Sequence, residues 1–177
     1  VKLNSDFAHA ELRGEFDYST LAQSLTNLVS SKLPTLPGLP KPSADAHNDF
    51  SLHLTVGKTD WLQHLLGVDA SLSSPLTLRA DISDHTRHIN LDADLPAFTY
   101  AGGRYTNGHL NITSPGDTLQ VNALVTKQMN DGRLFKLQLD ANAADNNLTT
   151  SLTWNNEERW AWKEEKTIGM RGRFNAV

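Results

Sequence analysis

The chain has 177 residues, a formal net charge of −4 and no cysteine. The length allows one domain of ordinary size. The lack of cysteine excludes disulfides, thiolate metal sites and a cysteine nucleophile, and charges of both signs are spread without the basic stripe of a nucleic-acid surface or a polybasic membrane anchor. An apolar fraction of 38% is low for an enclosed core and suits strands with one wet face, in which half of each strand is polar.

From Ala8 the pattern alternates. Ala8, Ala10, Leu12, Gly14, Phe16 and Tyr18 share one face, and His9, Glu11, Arg13, Glu15 and Asp17 the other, which is the signature of a half-buried strand. A helix follows, with Thr20 and Gln23 at capping-box spacing and Leu21, Leu25, Leu28, Val29 and Leu33 as one apolar stripe. Pro34 stops it, and the stretch from Pro34 to Pro42, with four of the seven prolines, reads as a stiff extended linker. Phe50, Leu52, Leu54 and Val56 alternate into a second strand. A short apolar helix is expected from about Thr59 to Leu66, built on Trp61, Leu62, Leu65 and Leu66 and closed by Gly67.

The remainder reads as all-β. Leu76, Leu78, Ala80 and Ile82 form one strand face, and a turn at Asp84 to Arg87 leads to Ile89, Leu91, Ala93 and Leu95. Pro96 is expected to break that strand or place it at an edge. Phe98 and Tyr100 precede a bend at Gly102 and Gly103. Leu110 and Ile112, then Leu119, Val121, Ala123 and Val125, give two more strands. Asn130-Asp131-Gly132 signals a tight hairpin into Phe135, Leu137, Leu139, Ala141 and Ala143. A turn at Asp145 to Asn147 leads to Leu148, Leu152 and Trp154, and Ile168, Met170, Gly172 and Phe174 mark a last strand. Short loops between sequential strands favour an antiparallel meander, and the strand-and-turn period of roughly 10–15 residues fits a sandwich, a barrel or a long curled sheet.

Chemistry-bearing motifs are sparse. His85 and His88 with Asp84 form the closest histidine group, but they fall in a turn and lack the three or four convergent ligands of a metal site. No Gly-x-Ser-x-Gly elbow, phosphate-binding Gly-rich loop or His-Glu-x-x-His is present. Glu157, Glu158, Glu164 and Glu165 flank tryptophans without the cleft that paired catalytic carboxylates need. The expectation is therefore a non-catalytic chain without metal or cofactor. His9, His53 and His109 are expected to be solvated. Trp154, Trp160 and Trp162 read first as packing at a sheet end, with sugar stacking or a membrane interface as the alternatives. Asn111-Ile112-Thr113 and Asn147-Leu148-Thr149 match the glycosylation sequon, which matters only in a eukaryotic secretory setting. No apolar run is long enough to span a bilayer as a helix, and the chain reads as a fragment of a longer protein.

Ser5-Asp6-Phe7, the strand ending in Gly14, the amphipathic helix ending in Leu33-Pro34, the later strands with Asp/Asn/Gly turns and Leu152-Thr153-Trp154-Asn155-Asn156 together carry a resemblance. The chain resembles the TamB proteins, translocation and assembly module subunits of the AsmA-like superfamily. The likeness covers most of the chain, best through Pro34 and from Ala93 to Asn156, and does not extend to the Pro-rich linker or the Trp160–Trp162 stretch. It implies a periplasmic segment of a parent protein held in the inner membrane by a single-pass anchor and partnered by an outer-membrane barrel of the TamA or BamA type. It also implies a long curled antiparallel sheet, taco-like, with an open apolar groove and one or two short helices, which serves phospholipid transport or outer-membrane protein assembly.

On that basis residues 1–33 are a strand plus amphipathic helix, 34–48 a linker, and 49–177 the antiparallel sheet segment. The candidate lipid-groove residues are Phe50, Leu52, Leu54, Leu78, Ile82, Leu91, Leu119, Val121, Leu137, Leu139, Leu152 and Trp154. Two other readings stand beside the phospholipid groove. One is a chaperone or interaction segment that works through exposed sheet edges; the other is a closed β-sandwich that binds carbohydrate through its tryptophans. The helices are expected to cap one end or edge of the sheet.

Overall fold

The computed structural model describes residues 1–35, 38, 47–59, 69–156 and 164–173. The helix expected from about Thr59 to Leu66 (apart from Thr59 itself), most of the Pro-rich linker, Trp160, Trp162 and Phe174 lie outside these described residues.

Eleven strands and one helix make up the described fold, in the order β1 (Lys2–Asn4), β2 (Ala8–Glu15), α1 (Leu21–Lys32), β3 (Asp49–Val56), β4 (Ala70–Leu72), β5 (Leu76–Ser83), β6 (His88–Tyr100), β7 (Gly103–Thr113), β8 (Leu119–Gln128), β9 (Leu134–Ala144), β10 (Asn147–Asn156) and β11 (Glu164–Arg173). All the strands belong to one antiparallel sheet. The hydrogen-bonded path runs β1-β2-β3-β5-β6-β7-β8-β9-β10-β11, with β4 paired to β6 off that path. β2 pairs with β3 from Ala8↔Val56 to Glu15↔Asp49, so the opening segment belongs to the same sheet as the rest.

The sheet is not strongly curled or closed, and β1 and β11 stand at opposite ends of the path. The taco-like curl expected from the resemblance is therefore not seen here. Nor does a second sheet pack on the first among the described residues, as a sandwich would require.

Turn chemistry sets the register. Asp145 and Asn146, at φ 48° and 58°, make a two-residue turn between β9 and β10, the left-handed pair whose twist matches the flanking strands. Ala101 and Gly102 do the same between β6 and β7 at φ 47° and 73°. The Asn130-Asp131-Gly132 hairpin forms as expected, with the Gly132 N–H on the Met129 carbonyl at 3.0 Å.

Pro96 neither breaks β6 nor puts it at an edge. β6 runs unbroken through it and lies inside the sheet. The proline falls where the flanking partner changes: β5 pairs with β6 as far as Asp94, and β4 takes over at Phe98. The missing N–H thus faces a gap in the ladder, where it costs no strand–strand hydrogen bond.

A bulge lies opposite. The β7–β8 register shifts between Thr106 and His109, where Asn107 has φ 53°. Gly108 is packed so closely that a Cβ there would meet the Leu95 carbonyl oxygen at 2.9 Å. Such a bulge re-aims the strand beyond it, and Tyr105 stacks on Phe98 at 5.0 Å and 11°.

Helix α1 lies across the end of the sheet that carries the β5–β6, β7–β8 and β9–β10 turns. The Ser24 hydroxyl donates to Asp84 Oδ2 at 2.7 Å, Lys32 Nζ reaches Asp117 at 3.6 Å, and the Lys32 carbonyl accepts the Asn146 N–H at 3.0 Å. Those three partners belong to successive turns of that end. The expected capping box is absent: Thr20 makes no side-chain cap hydrogen bond. Its hydroxyl instead donates to the Asp17 carbonyl at 3.3 Å and accepts from Asn48 Nδ2 at 3.1 Å. Of the apolar stripe, Leu28 and Leu33 are buried, whereas Leu25 is exposed. Burial of those two leucines contributes about 1.5–3 kcal/mol each.

Candidate functional site

Strand pairing brings the apolar positions of β2 to β10 onto one face. Across the sheet the register runs Leu12↔Leu52, Leu52↔Ala80, Ala80↔Leu91, Leu91↔Ile112, Ile112↔Val121 and Val121↔Ala141. Nearer the end away from α1, Leu54 pairs with Leu78, Leu139 with Ala123 and Leu152, and Leu137 with Val125 and Trp154. By strand alternation all twelve candidate groove residues share this face. The backbone register continues it into β11, with Ile168 opposite Leu152 and Gly172 opposite Leu148.

The structure divides the twelve. Ile82 and Leu119 are buried in a cluster with Leu28, Leu33, Ala80, Ile89 and Ala143, with Phe50, Leu52 and Leu91 packed against it. These five serve the contact with α1. Leu54, Leu78, Val121, Leu137, Leu139, Leu152 and Trp154 are half-buried and lie outside that cluster. The accessible part of the candidate site is therefore the half of the face remote from α1.

The sequence reading missed the centre of the cluster. Ile89 is 1% exposed; it opens β6 beneath the helix, and the Ser114 hydroxyl accepts its N–H at 2.8 Å. Apolar alternation marks Ile89 as core-facing but does not reveal where the helix lands. Also missed was Asn48, which is fully buried. Its Oδ1 accepts the Asp17 N–H at 2.7 Å, its Nδ2 donates to Ser24 Oγ at 2.8 Å, and its own N–H donates to Asp84 Oδ2 at 2.8 Å. This network ties α1, β3 and the β5–β6 turn together, so Asp84 serves as a helix anchor.

The opposite face is polar. Asp92, Asp94 and His109 meet there, with His109 Nδ1 2.8 Å from Asp94 Oδ1 and Nε2 3.6 Å from Asp92 Oδ2. They form the one ligand-type group of three among the described residues. All three are substantially exposed, and His109 is solvated, as expected, but also carboxylate-paired. The carboxylates with perturbed acidity are exposed and biased toward the charged form. Hydrogen bonds from Arg13 and Lys2 lower Glu11, and the Ser19 hydroxyl and N–H lower Asp17. A side-chain hydrogen bond with Ser83 lowers Asp49, and the Arg133 N–H and then its guanidinium lower Asp131.

At the end of the sheet away from α1, Phe98 and Tyr105 stack, and Lys127 Nζ sits 5.8 Å from the Tyr105 ring centre. Phe135 pairs opposite Lys127 and precedes Leu137 by two residues on the same strand. An aromatic and cationic rim thus closes the accessible half of the apolar face. Of the tryptophans expected to cluster, only Trp154 lies within the described residues. No family model, no curated protein and no solved structure matches the chain.

Proposed function

We propose that the sheet presents its apolar face to phospholipid acyl chains, as a segment of a longer TamB-like lipid conduit between two membranes. The observation that carries this reading is the one-sidedness of the sheet: a continuous apolar face that, among the described residues, α1 covers at one end only. A chain laid along the strands would be shielded from water at about 0.8 kcal/mol per buried CH₂. In the reading, further strands of the parent protein extend the sheet at its edges and curl it into a trough. The parent would be anchored in the inner membrane, lie in the periplasm and meet an outer-membrane barrel. The contacts are made by shape and apolarity, and the function is non-catalytic.

Native mass spectrometry of the purified chain, with extraction of bound material, tests this. Co-purifying or added phospholipid is expected on the native protein and is expected to be lost in Leu137→Asp. That substitution places a charge between Val125 and Trp154. A native protein that takes up no lipid would refute the reading. One observation favours a second function. β11 is ten residues long and pairs with β10 alone among the described residues, so its free edge suits strand addition by an outer-membrane protein client. Proline placed on the outer edge of β11 would then impair function more than Leu137→Asp.

A further inference from the structure

We propose that two lipid-free copies of the chain close on each other through the helix-free half of the apolar face, as a twofold dimer that acyl chains dissolve. The interface follows from the relief of that face, and its control by lipid rests on the acyl-chain reading.

One row of residues crosses this half from β1 to β10 with no polar member. In it Ala10 stands between Leu3 and Leu54, and Ala123 between Leu110 and Leu139. Both alanines are half-buried, and Leu3 at the outer edge is 55% exposed. The row is a relief of leucine ridges and alanine hollows, the kind of surface that two facing sheets interdigitate at about 10 Å separation. The sheet is not strongly curled, so a second copy can meet it along the whole row.

The area is large enough for a stable pair. The nine strands crossed by this row measure roughly 38 Å from side to side. This row, the next one outward and the aromatic rim extend roughly 17 Å along the strands. Each copy thus offers roughly 650 Å², more than a monomer ordinarily leaves open. Two such faces bury roughly 1,300 Å², within the range of about 1,200–2,000 Å² for specific interfaces.

Helix α1 sets the orientation. It stands on the same face at the other end, and a helix with its side chains is about 10–12 Å across, as thick as the gap between packed sheets. A partner lying over α1 would collide with it. The copies can therefore overlap only by their helix-free halves, with strands reversed about a twofold axis that crosses them and the two α1 helices at opposite ends. Every contact then occurs twice, as in an isologous interface. Lipid and partner need the same rows, so each excludes the other.

The test is sedimentation of the lipid-extracted chain, alone and with diheptanoylphosphatidylcholine below its micellar concentration. The native chain is expected to be a dimer at micromolar concentration and a monomer once lipid is bound. Ala123→Leu fills a hollow, so it should weaken the dimer by about tenfold or more although it adds apolar surface, and lipid uptake should be kept. Leu3→Asp, at the exposed edge of the row, should act in the same direction without touching a packed position. Circular dichroism checks that both variants keep the fold. A lipid-extracted chain that stays monomeric, forms aggregates of no fixed size, or gives a dimer that both variants leave unchanged overturns the interface, and lipid uptake then stands by itself. A dimer that both variants weaken, on a chain that takes up no lipid, keeps the interface and defeats the acyl-chain reading. A dimer that persists with lipid bound overturns the exclusion of one occupant by the other.

Discussion

Asn48→Ala is the sharpest test of how α1 is held to the sheet. The side chain is fully buried and makes three hydrogen bonds, to the Asp17 N–H, Thr20 Oγ1 and Ser24 Oγ. Each is worth about 1 kcal/mol net, and a buried N–H left without an acceptor costs about 1–3 kcal/mol more. The truncation should therefore destabilise by about 4–6 kcal/mol, a fall in Tm of about 8–24 °C for a chain of this size. Urea denaturation gives the free energy. Hydrogen exchange then shows whether α1 amides open before those of β6 to β9, as expected if the network is the helix latch. Asn48→Asp supplies the control for charge: a second carboxylate beside Asp84 has its pKa raised by burial and by its neighbour. A raised folded pKa gives stability at low pH that is lost as pH rises through it, so this variant should be nearest to native in acid and weaken above about pH 4. If Asn48→Ala lies within about 1 kcal/mol of native, the latch argument is wrong.

The remaining predictions concern the sheet. Ile89→Ala, beneath the helix, should cost about 2–5 kcal/mol in chemical denaturation, and Leu54→Ala, on the accessible half of the face, distinctly less; equal losses would mean that the whole face is core. Gly14 has φ 120°, and a side chain there would run into the Asp49 carbonyl. Gly14→Ala should therefore lose at least about 2 kcal/mol and free the β2–β3 amides in hydrogen exchange. The depressed carboxylates Glu11, Asp17, Asp49 and Asp131 contribute stability that is present above the usual carboxylate pKa and lost as pH falls through their folded values. Asp131→Asn should flatten that acid limb in a pH series of thermal melts, through a small loss at pH 7 that vanishes in acid.

Strand faces and turns were legible because two signals agree. Period-two alternation marks Leu119, Val121, Ala123 and Val125 as one face, and Asp145-Asn146 and Asn130-Asp131-Gly132 place the reversals. Pro96 misled because a proline penalty depends on what lies beside it: here the flanking partner changes from β5 to β4, and no local pattern announces that. The capping box misled because Thr20 and Ser24 are engaged by Asn48, 28 and 24 residues away. Curvature was the least legible feature, since alternation is identical in a flat, a curled and a closed sheet.

The mismatch between helix and sheet makes the argument for an occupant. A 12-residue helix is about 18 Å long, whereas ten strands side by side measure roughly 43 Å across. One helix cannot cover such a face, and α1, the one helix among the described residues, sits at one end of it. Two kinds of occupant would satisfy the half that no described residue covers: an apolar ligand, or the same face of a second copy. They differ in a measurable way. A ligand-covered face leaves the chain monomeric when lipid is present, and delipidation then drives association. A self-covered face gives a dimer that is indifferent to lipid and is broken by Leu137→Asp. Sedimentation of the native chain before and after lipid extraction separates the two, and a lipid-indifferent dimer would turn the acyl-chain surface into an interface between copies.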